Sequence, residues 1–237
     1  MTSLPTFHDA VIVGAGHNGL VAACYLAAAG RRVLVLERND YAGGATTSQR
    51  VFPDYEARLS RYAYLVSLLP PKIVRDLGLD LTLLQRRVAS YTPFVRAETH
   101  QGLLLRNADE IQNRLNVNAL HPDDYQGYQK LQAMNQTVAG KTWNSFLQPL
   151  RSRRAWEKLF ATAEEKAAWR WLVERPVGEL IEAHIHDDVL RGVLLTDAKI
   201  GTFTHAHDPS LLQNRTYFYH IVGNGTGEWR VPAGGMG

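Results

Sequence analysis

The segment spanning residues 10–37 leaves this chain few folds to choose from. Ala10-Val11-Ile12-Val13 is a short, wholly apolar, β-rich run, as expected for a strand buried on both faces of a parallel sheet. It ends in Gly14-Ala15-Gly16-His17-Asn18-Gly19. Leu20 to Ala29 is a strong helix former, closed by Gly30. After Arg31-Arg32, Val33-Leu34-Val35-Leu36 reads as a second buried strand that ends at Glu37. Strand, G-x-G-x-x-G turn, helix, strand and acid in that order predict a βαβ unit that binds a dinucleotide.

Each residue type has a physical task there. Gly14 permits the tight turn out of the strand. Gly16 has no Cβ, so the backbone can approach a pyrophosphate, and Gly19 lets the helix pack closely on the sheet. The free N–H groups and positive dipole of the helix that begins near Asn18 favour the diphosphate. Glu37 lies 18 residues beyond Gly19, where its carboxylate can accept both hydroxyl protons of the adenosine ribose. A 2′-phosphate there would face a like charge, which disfavours NADP. The bland alternative is a glycine-rich turn in an unrelated α/β unit; it leaves the matched strand, helix and acid unexplained.

Composition narrows the class further. With 237 residues, the chain fits one large domain or two small ones. Apolar residues make up 45% and charged residues 21%, which excludes a disordered, collagen-like or multi-span membrane protein. The single cysteine, Cys24, rules out an intrachain disulfide and a Cys-rich zinc module, and reads as a small core residue of the first helix. A net charge of +3 is weak evidence for nucleic acid, so none is expected as a partner; it is compatible with an anionic membrane surface. Residues 1–8 show no secretory signal pattern, and Gly19 to Gly30 is too short to span a bilayer, so the expected compartment is the cytoplasm.

The residues after Glu37 separate the flavin and nicotinamide readings. In Glu37-Arg38-Asn39-Asp40-Tyr41-Ala42-Gly43-Gly44-Ala45-Thr46-Thr47, a Gly-Gly pair stands six residues past the ribose acid. Here the chain resembles the flavoprotein superfamily that includes amine oxidases and phytoene desaturases. Gly14-Ala15-Gly16-His17-Asn18-Gly19-Leu20 looks like the phytoene-desaturase (carotenoid dehydrogenase) branch, nearest the members called pyridine nucleotide-disulphide oxidoreductase domain-containing protein 2. Residues 62–70, 73–79, 121–125, 201–203 and 229–237 read like the same branch.

The resemblance implies FAD as cofactor, and an oxidoreductase that transfers hydride from an apolar, isoprenoid- or carotenoid-like substrate to the flavin. It places the cofactor against Gly14, Gly16, His17, Asn18, Gly19, Glu37, Arg38, Gly43, Gly44, Ala45 and Thr46. Arg58, Arg61 and Tyr62 fall just after the Gly-Gly segment and could face the isoalloxazine; surface or packing duty competes with that reading. No side chain is assigned as a catalytic acid or base, since the cofactor carries the hydride. A plain NAD-dependent dehydrogenase is a further alternative, against which Gly43-Gly44 argues.

The expected architecture is α/β: a Rossmann-like FAD/NAD(P)-binding fold with an incomplete parallel sheet and a mostly helical α+β substrate-domain insertion. Residues 1–66 form the dinucleotide-binding segment, 67–225 the substrate domain, and 226–237 the start of a return to the first. Pro70-Pro71 opens a helix through Leu77, Gly102 to Leu105 is a strand, and His121-Pro122-Asp123-Asp124 begins a helix. From Arg153 to Arg175 a cationic, Trp-bearing helix is expected, either core-facing or docked on a membrane. Helices follow over 177–183 and 189–195, and Tyr217 to Val222 reads as a strand. His184-Ile185-His186-Asp187-Asp188 and His205-Ala206-His207-Asp208 have metal-like spacing, yet read better as helix ends and turns; no metal is expected.

No third parallel strand is legible, although a dinucleotide-binding sheet needs more than two. The expectation is therefore a truncated or split family member. A second chain would then complete the FAD site, or the fragment would be non-catalytic alone.

Overall fold

The computed structural model describes residues 7–237, which fall into two units: 7–85 with 230–237, and 86–229. In the first unit, β1 (Ala10–Val13), α1 (His17–Ala28) and β2 (Val33–Leu36) follow in the expected order. β1 and β2 are parallel, with Ala10 opposite Val33 and Val13 opposite Leu36. Gly30 closes the helix in the left-handed region at φ 75°. This is a Rossmann-like βαβ unit with a small parallel sheet.

Its burial differs from the expectation. Val11 and Val13, two apart and so on one face of β1, are 55% and 85% exposed. Among the described residues the parallel sheet has two strands, and α1 covers the opposite face, where Ile12 approaches Gly19. Cys24 is exposed rather than part of a core, because no residue of α1 is fully buried.

Downstream, β3 (Ser48–Gln49) pairs antiparallel with β4 (Leu59–Ser60). α2 (Pro71–Asp76) starts with proline at its first position, where the missing N–H costs nothing. β5 (Leu83–Gln85) pairs antiparallel with β8 (Arg230–Pro232), and this pairing carries the first unit to residue 85 instead of 66 and starts the return at Arg230.

The second unit opens with a hairpin of β6 (Val88–Arg96) and β7 (Thr99–Arg106), turned through Ala97 and Glu98 at φ 48° and 62°. Helices follow: α3 (Glu110–Asn118), α4 (Asp124–Thr142), α5 (Arg153–Glu157), α6 (Ala163–Trp169), α7 (Val177–His184), α8 (Asp188–Lys199) and α9 (Leu212–Ile221). Leu103, Leu131, Phe160, Leu180, Ile185 and Leu190 are buried at the centre of this unit.

Two expectations fail here, each for a legible reason. The single helix over 153–175 is broken into α5, α6 and a π-helical turn over Arg170–Glu174. Thr162 restarts the chain with a capping box, its hydroxyl accepting from the Glu165 N–H while Glu165 accepts from the Thr162 N–H. The strand expected at 217–222 is the end of α9. Gln213, Asn214, Tyr217 and Ile221 are buried at helical spacing, and Asn214 is bonded to Leu172, Arg175 and Val177. Tertiary burial thus overrides the β-propensity of Tyr217-Phe218-Tyr219.

Candidate dinucleotide-binding site

The glycine turn between β1 and α1 is locked from both sides. Gly14 takes φ 97°, a conformation that side chains rarely adopt, and its N–H donates to the Leu36 carbonyl at 2.7 Å. Buried Ala15 donates its N–H to Glu37 Oε2 at 2.7 Å and accepts the Gly43 N–H on its carbonyl at 2.7 Å. A Cβ added to Gly19 would overlap the Gly14 carbonyl oxygen and press on Ile12, so helix and strand approach as closely as the motif requires. At Gly44 an added Cβ would come within 3.0 Å of the Gly16 Cα. Two glycine segments far apart in sequence therefore lie backbone against backbone.

This arrangement suits an anion. Gly16 caps α1 in an extended conformation, no side chain bonds the first-turn N–H groups, and the first turn holds no acid. His17 and Asn18 are exposed there. Unsatisfied amides and the positive helix end attract a phosphate. Glu37 sits at the strand tip with Oε1 accepting the Asn39 N–H at 2.9 Å and the Asn39 side-chain amide at 3.0 Å. The Asn39 and Ala15 N–H groups hold its carboxyl below the usual glutamate range. An ionised carboxylate offers about four acceptor positions, so with three filled one remains, on Oε2, for a hydroxyl donor. Arg38 is exposed beside it.

Gly43, Gly44, Ala45 and Thr46 turn sharply, with Gly43 at φ 112° and the Thr46 hydroxyl donating to the Gly43 carbonyl at 2.7 Å. The β3–β4 pairing then returns Arg61 and Tyr62 to this segment. The Arg61 N–H donates to the Thr47 carbonyl at 2.9 Å, its guanidinium to the Tyr41 hydroxyl at 3.1 Å, and the same group lies 4.9 Å over the Tyr62 ring. Arg58 is exposed and makes no hydrogen bond or ion pair among the described residues. Sequence reasoning missed the Gly237 N–H, which donates to the Ser48 hydroxyl at 3.1 Å.

The histidine pairs do not converge. His207 pairs with Glu182 at 2.9 Å, whereas His186 stacks on His121 with ring centroids 4.2 Å apart. His121, Asp124 and His186 are close enough to hold an ion, but Asp124 is already committed. Its oxygens accept the N–H groups of His186 and Asp187 at 2.7 and 2.9 Å and the His186 ring at 2.8 Å. Burial raises the Asp124 pKa, and those N–H donors outweigh it, holding the carboxyl below the ordinary aspartate range. The trio reads as a tether between α4 and the start of α8. Nothing in the sequence joined Asp124 to His186 across 62 residues. The second unit also carries an open pocket of about 560 Å³ lined by Val138, Trp156, Trp169, Leu172 and Phe218, with Thr142, Gln148, Asn214 and Arg215 among its polar residues. Among the described residues, no helix is long and apolar enough to cross a membrane.

Residues 12–71 match the NAD(P)-binding Rossmann-like domain family. An uncharacterized protein of Mycobacterium tuberculosis is 45% identical over 233 residues, covering 97% of this chain and 43% of that protein. Mouse pyridine nucleotide-disulfide oxidoreductase domain-containing protein 2 is 31% identical over 258 residues, covering 97% of this chain and 44% of that protein. The chain thus spans less than half the length of these curated relatives. A solved putrescine oxidase variant shares the fold with a TM-score of 0.51 at 20% identity, covering 97% of this chain and 46% of that one.

Proposed function

We propose, on the premise that residues 12–71 are a NAD(P)-binding Rossmann-like domain in a chain similar to mouse pyridine nucleotide-disulfide oxidoreductase domain-containing protein 2, that the chain carries the FAD cradle of an oxidoreductase acting on an apolar substrate. The observation that carries the reading is the contact between the two glycine segments. A G-x-G turn alone serves many dinucleotides, whereas Ala15 bonded to Gly43, with Gly16 against Gly44, supplies a second amide-rich strip beside the diphosphate position.

In this reading the amides of the α1 N-terminus and of Gly44 and Ala45 hold the diphosphate, and Glu37 receives an adenosine ribose hydroxyl. Arg38 supplies positive charge at the rim, and Arg61 with Tyr62 borders the segment toward the ring system. When bound, FAD supplies the hydride acceptor. The protein's own share is to fix the cofactor and to exclude water from an apolar substrate. The pocket of the second unit supports an apolar substrate class: its exposed walls are mostly aromatic and aliphatic, and about 560 Å³ lies within the usual range of ligand pockets.

A second reading concerns self-sufficiency. Val13 and Leu36 are 85% and 48% exposed on a two-stranded parallel sheet, where buried strands are the rule. This favours completion of the sheet by strands outside the described residues, from more chain or from a partner, with firm retention of FAD depending on them. Equilibrium dialysis of the purified chain against FAD, NAD and NADP tests both. Preference for FAD over the nicotinamide dinucleotides supports the first reading; preference for NAD or NADP overturns it. FAD held through desalting overturns the second.

A further inference from the structure

The connection between α4 and α5 carries a surface for which the cofactor reading has no use. Phe146-Leu147-Gln148-Pro149-Leu150 projects apolar side chains into solvent: Leu150 is fully exposed, and Phe146 and Leu147 are each 46% exposed. One exposed leucine is ordinary; three large apolar residues within five, followed directly by cations, are not. Arg151, Arg153, Arg154 and Lys158 follow directly, all exposed, with Glu157 as the one acid among residues 146–158.

Those cations are unequally engaged. Arg153 is neutralised by Glu157 and Glu174 at 3.2 and 3.0 Å. Arg151 lies over the Trp156 ring at 5.3 Å, and the side chains of Arg154 and Lys158 make no hydrogen bond or ion pair among the described residues. Phe146, Leu150 and Trp156 also line the open pocket, so the exposed tip forms part of its wall.

We propose that residues 146–158 dock the second unit onto the surface of an anionic lipid bilayer. Phe146, Leu147 and Leu150 enter the acyl boundary, while Arg151, Arg154 and Lys158 meet the anionic headgroups. A bilayer interface is layered in this way, apolar beneath and anionic above, and suits an exposed apolar tip followed in sequence by exposed cations. A second copy of the chain is a poorer occupant, since it would bring the same cations face to face. Docking in this pose sets part of the pocket wall against lipid, a route for an apolar molecule to enter without crossing water. The proposal stands apart from the cofactor reading, because no cradle residue takes part.

Co-sedimentation of the full chain with vesicles tests it. Vesicles of phosphatidylcholine containing phosphatidylglycerol are expected to bind at least about tenfold more tightly than phosphatidylcholine alone, with the difference lost in high salt. Leu150→Asp lowers that binding by about tenfold or more, and combined Arg151→Gln, Arg154→Gln and Lys158→Gln bring it to the neutral-vesicle level. Arg151→Lys with Arg154→Lys keeps the binding. All four side chains are exposed, and circular dichroism verifies that each variant is folded. Absence of vesicle binding, equal binding to both compositions, or binding untouched by Leu150→Asp overturns the proposal. Leu150-dependent self-association without lipid overturns it in favour of a second copy.

Discussion

The carboxylate of Glu37 accepts the backbone N–H of Ala15 at 2.7 Å, joining the tip of β2 to the middle of the glycine turn. The acid expected at a ribose also braces the loop that would hold the diphosphate. Its charge therefore acts on nucleotide choice and on loop order together.

Glu37→Gln keeps the shape and removes the charge. FAD affinity is expected to fall by about tenfold or more, on the scale of a charge-assisted hydrogen-bond pair weakened, and discrimination against NADP over NAD to shrink. Calorimetric titration with each dinucleotide measures both. The pH dependence has a definite sign. The folded-state pKa lies below the ordinary 4.5, so the stabilisation is complete above that value and is lost as pH falls through the lowered one. Acid unfolding of the Gln variant should lack this component.

Gly19→Ala probes the helix–strand approach. The added Cβ overlaps the Gly14 carbonyl oxygen, and backbone there has little freedom to yield. A destabilisation of about 1–3 kcal/mol is expected in urea unfolding, together with weaker FAD binding. Ala23→Ser, on the same helix, should leave both within about 0.5 kcal/mol.

Asp124 tests the tether. Asp124→Ala leaves the N–H groups of His186 and Asp187 without their acceptor in a fully buried position and should cost about 2–4 kcal/mol in urea unfolding. Because the folded-state pKa is depressed, wild-type stability should decline as pH drops below the ordinary 3.8. Added zinc should raise the thermal midpoint by no more in wild type than in Asp124→Ala, since the carboxylate is fully buried and held by three donors.

Thr162→Ala removes the cap that divides the cationic segment. A loss of about 1 kcal/mol is expected by thermal or urea unfolding. Glu165 is held at about 2, first by Lys141 and then by the Ala161 and Thr162 N–H groups. Its contribution should persist above the ordinary 4.5 and fade as pH falls toward about 2; in Glu165→Gln that fading should be absent.

The βαβ unit was legible because its determinants are local: a glycine pair, a helix start and an acid at fixed spacing dictate the turn. The approach of Gly43-Gly44 to the turn came from resemblance, and the structure adds the bonds that make it. Where packing decides, sequence reading failed. Tyr217-Phe218-Tyr219 favours a strand in isolation, yet Asn214 anchors a helix through three backbone partners. The long helix at 153–175 was drawn from periodicity alone, which cannot register the Thr162–Glu165 cap that restarts it. Val11 and Val13 read as buried because hydropathy reports what a strand prefers to cover, not whether a neighbour is present to cover it. Asp124 with His186 depends on long-range contact and carries no local signal.

The central claim is a flavin cradle built from two touching glycine segments. The most direct measurement is the visible absorbance and fluorescence of the purified chain titrated with FAD, in wild type and in Gly44→Val. The account predicts saturable perturbation of the flavin spectrum in wild type, lost in Gly44→Val, where the side chain would separate Gly44 from Gly16. Unperturbed flavin in the wild-type chain, or equal binding by the Val variant, would contradict it.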